Sequence, residues 1–347
     1  MKEKTSNNII VLGFLMTCMI VIYHCSEGFF EPINYFDSKV SSILNGLVYY
    51  FSEVAMYYFF SITGFLLFFN YKNNYLKKIK NRISSLLIPY LLWQLIFSII
   101  MIIVTNNLNW AYIKHIFYSV FCLQQWPPDG PLWYIYAIFI LALLSPAVYL
   151  IIKNKKYGKY FVLLVTLIDL FIIRYNFKSF LSFATYGYVG NILTYLPAYL
   201  IGAYWGAHEK EIENDEKGKM FLFYIIGGII LNQIIPSYFS CCTKSLLPLL
   251  LIFYMPDFTF LRKSKIVNIS FVMYAIHYIF DWKVAPIIRN FLIEKFKYAF
   301  VADNVTRIMI LALVIGVAYV ICLVCGKFVP GFLKVLTGGR VKKFSKS

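Results

Sequence analysis

Long apolar runs alternate with short clusters of charge along the whole chain, and the runs have the length that a lipid bilayer demands. A helix rises about 1.5 Å per residue and the hydrocarbon layer is about 30 Å thick, so a span takes roughly 20 apolar residues. On that measure the sequence predicts about ten spans. They fall near 8–25, 47–69, 84–105, 132–152, 159–173, 189–206, 220–236, 244–255, 266–283 and 307–327. The fifth and eighth are short for a crossing, so either is open to being re-entrant. The longest connections, 26–46, 106–131 and 284–306, read as loops able to hold a ligand. No internal repeat, heptad or soluble module breaks this order. The expected fold class is therefore all-α: one polytopic membrane bundle over residues 1–347, with helices from 8 to 327 and a basic tail from 328 to 347.

Charge orients the bundle, because cytoplasmic loops hold the excess of lysine and arginine. With both termini on the cytoplasmic side, the inner segments carry 23 of the 33 basic residues. These include Lys72, Lys77, Lys78, Lys80 and Arg82 in the second inner segment and six more from Lys327 to Lys346. The net charge of +17 then follows from this bias and from contact with anionic lipid. Its clusters are short and separated by apolar spans, which argues against a nucleic-acid partner. At 60% hydrophobic and 14% charged, the chain lacks the polar coat of a soluble protein. Lys2 and Lys4 precede an apolar run as in a secretory signal, but no small-residue cleavage site follows, so the run reads as a retained first helix. The seven cysteines lie mostly in or beside apolar segments without metal or disulfide spacing. They read as buried small hydrophobes, the CxxC of Cys322 and Cys325 included.

Four histidines occur, at 24, 115, 208 and 277, and two of them fall within apolar spans, where a polar ring is costly. His24 closes the first span in VIYHCSE. An imidazole with a reference pKa of about 6.5 suits base catalysis near neutrality, whereas a ring at the outer interface also simply meets water. His277 lies in MYAIHYIFDW with Asp281 one turn on, which fits a structural histidine bonded to a neighbouring helix. Lys78 and Arg82 are four apart and share a helix face ahead of Pro89. Such a pair at the inner mouth of a bundle could grip phosphate, and ordinary positive-inside charge has the same appearance. The stretch QQWPPDGPLWYIY sets Trp126, Trp133 and Tyr134 around a rigid Pro-Gly turn. Aromatic anchoring at the interface accounts for them, and aromatic faces also form platforms for sugars.

Taken in order, these strings resemble the acyltransferase-3 family of integral membrane acyltransferases, which modify surface polysaccharides, lipopolysaccharide, peptidoglycan or antibiotics. The likeness runs over nearly the whole chain. It is carried by His24 at the end of the first span, FFSITGFLLFF at 59–69, the basic loop leading into RISSLLIPYLLW at 82–93, GPLWYI at 130–135 and YAIHYIF at 274–280.

The resemblance implies about ten helices around a transmembrane tunnel in a bacterial plasma membrane, with acyl-CoA entering from inside and an envelope glycan outside. Acetyl is the commonest acyl group in the family, and no permanently bound cofactor or metal is implied. His24 would be the catalytic histidine, and Lys78 and Arg82 would face the donor's phosphates. Trp126, Trp133, Tyr134 and His277 would line the tunnel or the acceptor site. The sequence departs from the family in two places that bear on the donor, the milder being that the usual paired arginines of the inner loop appear here as lysines plus Arg82. Members commonly carry an arginine eleven positions before the histidine, and Gly13 stands there instead. A transporter or flippase of a glycan intermediate or small molecule is the competing reading, since intramembrane polar residues also mark substrate paths.

Overall fold

The computed structural model describes residues 2–25, 35–69, 71, 74–106, 109–121, 127–174, 188–209, 240–296 and 298–341. Among them every regular element is helical. In chain order these are α1 (Glu3–His24), α2 (Tyr35–Phe68), α3 (Tyr75–Arg82), α4 (Ile88–Thr105), α5 (Trp110–Phe121), α6 (Trp133–Leu143), α7 (Ser145–Ile152), α8 (Lys155–Arg174) and α9 (Tyr188–Ala207). After them come α10 (Ser240–Tyr254), α11 (Thr259–Arg262), α12 (Ser270–Ile279), α13 (Ala285–Ile293), α14 (Ala299–Phe328) and α15 (Pro330–Leu336).

Among the described residues five helical runs are long and apolar enough to cross a membrane: Glu3–His24, Asp37–Phe68, Tyr75–Thr105, Ile266–Ile293 and Ala299–Phe328. A sixth forms if Gly130–Leu143 and Ser145–Ile152, bent by 60°, count as one span. That bend corrects the straight crossing expected over 132–152. Pro146 opens α7 with no N–H to close the helix turn before it, so the ladder breaks at Leu144. The remaining expected spans fall on α8, α9 and α10, apart from 220–236, which lies outside the described residues. The three connections expected as long loops also hold helix. α2 already begins at Tyr35, α5 occupies Trp110–Phe121, and α13 with the start of α14 fills most of 284–306. Their apolar positions recur at helical spacing, which a search for unbroken 20-residue runs passes over.

Two packing rules position the site. In α14 the buried face reads Ala302, Thr306, Ile310, Val314, Ala318, Cys322 and Gly326, one residue every fourth position. Ile308, Val320 and Leu323 on its other faces are exposed, as a helix bathed in lipid requires. Between α2 and α9 the contact is made by glycine. A Cβ on Gly64 would strike the backbone of Tyr199 and Ala203, one on Gly202 that of Ser61, and one on Gly206 that of Phe65. Small residues four apart let two backbones touch, and without a hydrophobic drive between helices in lipid such close contact supplies the attraction.

Two short π-helical segments interrupt the bundle, Ile83–Leu87 and Phe280–Val284. Each precedes a proline, Pro89 and Pro286, that has no N–H for the carbonyl four residues back. Widened turns of this kind recur at functional sites, and here one follows Arg82 and the other follows His277.

Candidate functional site

α1 and α2 each turn one continuous stripe toward the interior. On α1 the stripe is Thr17, Ile20 and His24, spaced i, i+3 and i+7. On α2 it runs from Tyr49 through Glu53, Met56 and Phe59 to Thr63 and Leu66. The stripes border two cavities. One, of about 250 Å³, is lined by His24, Tyr23, Tyr49, Glu53, Trp133 and Tyr195 among others. The second, of about 270 Å³, is lined by Thr17, Thr63, Arg82, Tyr134, Tyr274 and Arg340 among others. Ile20 and Met56 belong to both walls, so the cavities adjoin, with an imidazole at one end and two guanidiniums at the other.

At the imidazole end, His24 is the last residue of α1 and its ring lies 5.4 Å from that of His277. His277 is fully buried, and its Nδ1 is 2.7 Å from the Tyr274 carbonyl. A carbonyl only accepts, so Nδ1 carries the proton. Its Nε2 stands 4.0 Å from Asp281 Oδ2, across the one-turn spacing read from the sequence. His277 lines neither cavity and packs against the His24 ring. Glu53 faces the cavity and is ion-paired with Lys244, while Tyr49 donates to it across 3.1 Å.

At the guanidinium end the expected pair divides. Arg82 reaches the cavity, whereas Lys78 lies over the Tyr71 ring, 3.1 Å from its centroid. Both stand on α3 at the expected four-residue spacing, but the π-helical turn begins directly after Arg82 and turns it inward. Arg340 enters the same cavity from the segment after α14, which the sequence reading treats as a tail. Residues 330–341 instead fold back onto the bundle. Leu333, Leu336 and Val341 are buried, and the Trp93 indole donates to the Leu336 carbonyl across 3.0 Å. Gly338 and Gly339 both have positive φ, 59° and 76°, and reverse the chain so that Arg340 points back. Arg340 then donates to the Ser85 carbonyl across 2.7 Å, the carbonyl that Pro89 leaves without its helical donor. Arg340 lines the cavity with part of its side chain exposed. Burial, and Arg82 beside it, pull its pKa down to about 10.

Trp133 and Tyr134 are successive residues and face different ways, Trp133 into the His24 cavity and Tyr134 into the arginine cavity. Both are buried, which corrects the expectation of interfacial anchors. The Tyr134 hydroxyl donates to the Phe59 carbonyl across 2.9 Å and lies 2.8 Å from Thr63 Oγ1, fixing α6 against α2. Trp126 lies outside the described residues. At Gly13, where the resemblance leads one to expect arginine, the position a Cβ would take is 3.6 Å from the Tyr58 hydroxyl, and that hydroxyl donates to the Ile9 carbonyl.

Sequence reasoning missed Arg340, Glu53 and Tyr274. A lone acid inside an apolar span was a signal for Glu53, and Gly-Gly before arginine was one for a chain reversal at Arg340. Among the described residues no group of three His, Cys, Asp or Glu is placed to hold a metal ion. No curated protein and no solved structure matches this chain. A family model described as an acyltransferase domain matches residues 7–327, and the chain belongs to that acyltransferase-3 family.

Proposed function

We propose that the protein is a membrane O-acyltransferase of a bacterial plasma membrane. It takes an acyl group, acetyl being the simplest, from cytoplasmic acyl-CoA and places it on a hydroxyl of an envelope glycan. One observation carries the reading: two adjoining cavities with a basic side chain at one end and a cationic pair at the other, sharing Ile20 and Met56. A thioester donor has the matching shape, an anionic head on a long arm that ends in the reactive carbonyl.

In the reaction the His24 imidazole takes the proton of the acceptor hydroxyl, and the oxygen forms a bond to the thioester carbon. The tetrahedral intermediate collapses with rupture of the C–S bond, and the imidazolium returns its proton to the departing thiolate. A donor group in the tunnel stabilises the oxyanion while it lasts. His277, packed 5.4 Å from the His24 ring, holds it in position. Trp133 offers an aromatic face to a sugar beside His24, and Tyr134 shapes the donor side. Arg82 meets the donor phosphates. Lys78, stacked on Tyr71, adds charge near the mouth rather than a direct contact.

The test is mass spectrometry of the surface glycan from a strain lacking the gene, complemented with wild type or with His24→Ala. Loss of acyl mass in the deletion strain, restored by wild type and not by a His24→Ala chain present at equal level, is expected. A base of this kind is worth about 10²–10⁴-fold in rate. Full acylation with His24→Ala would refute the catalytic role and favour a transporter on the same scaffold.

A further inference from the structure

Among the described residues, no opposite charge in the wall answers the charge of the arginine cavity. Among the described residues its wall holds Arg82 and Arg340 and no carboxylate. Among the described residues Arg340 donates to neutral carbonyls, those of Ser85 and Thr337, the latter across 3.0 Å. Two cations lining one cavity repel each other, a cost that one multivalent anion would remove. The planar forks of guanidinium match phosphate oxygens in bidentate fashion.

We propose that Arg340, delivered by the folded-back segment 330–341, acts with Arg82 to bind the diphosphate of the incoming donor. This rests on the acyl-CoA reading above and deepens it. It also supplies a cation to a chain that has Gly13 where an arginine is expected on α1. Arg340 lies outside the stretch 7–327 that the family model matches.

Several features of the fold serve that delivery. The reversal at Gly338 leaves no room for a side chain, since a Cβ there would strike the Ser85 carbonyl. The same carbonyl accepts from Arg340, so the segment and its arginine dock on one point of the π-helical turn that follows Arg82. The Phe271 ring centroid lies 4.5 Å from the guanidinium carbon, a cation–π contact that helps to hold the side chain at the cavity wall.

The test is binding of coenzyme A, inorganic pyrophosphate and pantetheine to the full chain in detergent, for wild type, Arg340→Gln and Arg340→Lys. Arg340→Gln is expected to weaken coenzyme A and pyrophosphate at least tenfold, about 1.4 kcal/mol, and to leave pantetheine unchanged. Arg340→Lys is expected to fall between the two. In a second measurement that needs no variant, pyrophosphate is expected to protect Arg340 of the wild type from phenylglyoxal, read by peptide mass spectrometry. Wild-type pyrophosphate binding in a folded Arg340→Gln chain, or no protection of Arg340, would overturn the proposal, and intact coenzyme A binding there would leave the acyl-CoA reading standing. Arg340-dependent pyrophosphate binding without coenzyme A binding would uphold the anion site and sink the acyl-CoA reading.

Discussion

Replacing Gly202 by alanine is expected to pry α9 from α2 and to disturb the His24 cavity from a distance. The new Cβ would lie 2.7 Å from the Ser61 carbonyl carbon and 2.9 Å from its Cα, and closer still to the carbonyl oxygen. Carbon atoms rest about 3.5–4.0 Å apart, so the helices must part by about 1 Å along this line. The obstacle is backbone, which cannot swing aside as a flexible side chain would. Overpacking of this kind costs about 1–3 kcal/mol, while alanine in place of glycine returns at most about 1 kcal/mol of helix propensity. With backbone this close the overpacking cost lies in the upper part of that range, about 2–3 kcal/mol, which leaves a net destabilisation of about 1–2 kcal/mol. Activity should fall with it, because Tyr195 on α9 lines the His24 cavity and stacks on Phe60 of α2 at 5.0 Å. The assay is the thermal midpoint in detergent against Gly316→Ala, where a Cβ meets nothing within 4 Å. Gly316→Ala should be neutral or slightly stabilising. A Gly202→Ala chain as stable as wild type would refute the reasoning.

Met56→Trp enlarges a side chain in the wall shared by both cavities, leaving His24 and both arginines in place. It should cut acyl transfer at least tenfold while pyrophosphate binding persists, and transfer at the wild-type rate would show that the connection is not the path. Asp129 is buried, and neither of its carboxyl oxygens has a hydrogen-bond partner among the described residues. Burial raises its pKa well above the usual carboxylate range, so the folded chain holds a proton that the unfolded chain has released. Its contribution to stability therefore falls as pH rises above the unfolded value of about 4. Asp129→Asn should remove that slope, so the wild-type midpoint should drop relative to the variant between pH 5 and pH 8. A constant difference would be the contrary result.

The helical class and the membrane character were legible because unbroken apolar runs carry them. α1, α2, α4 and α14 lie where hydropathy alone placed crossings, with ends that shift as the helices extend past the apolar stretch. The bend at Leu144 and the two π-helical turns were not, although prolines 89, 146 and 286 stood in plain view. A proline says that a carbonyl is freed and does not say what comes to satisfy it; at Ser85 the answer is an arginine 255 positions away in the chain. His24 and Arg82 were legible as polar residues at the ends of apolar runs, whereas the wall that their two cavities share was not. It depends on Ile20 and Met56, two apolar residues whose sequence context is that of any other core position.

On the proposed reading, the two adjoining cavities also constrain what acts as donor. Along α1 the lining runs from Thr17 to His24, seven residues or about 10 Å of helix. Along α2 it runs from Tyr49 to Leu66, about 26 Å, close to the roughly 30 Å of a hydrocarbon layer. On the proposed reading, an anion held at Arg82 and Arg340 cannot also sit beside His24, because Ile20 and Met56 stand between. A donor whose charge adjoins its reacting carbonyl, as in an acyl phosphate, reaches one end or the other. A donor whose charge and carbonyl are separated by a long neutral arm reaches both. That separation lets the anionic head stay among cations while only a small uncharged acyl group passes the apolar waist. On that reading the arrangement spares the bundle the cost of moving a diphosphate through lipid-enclosed protein, with the cations as the binding device and the imidazole as the chemical one.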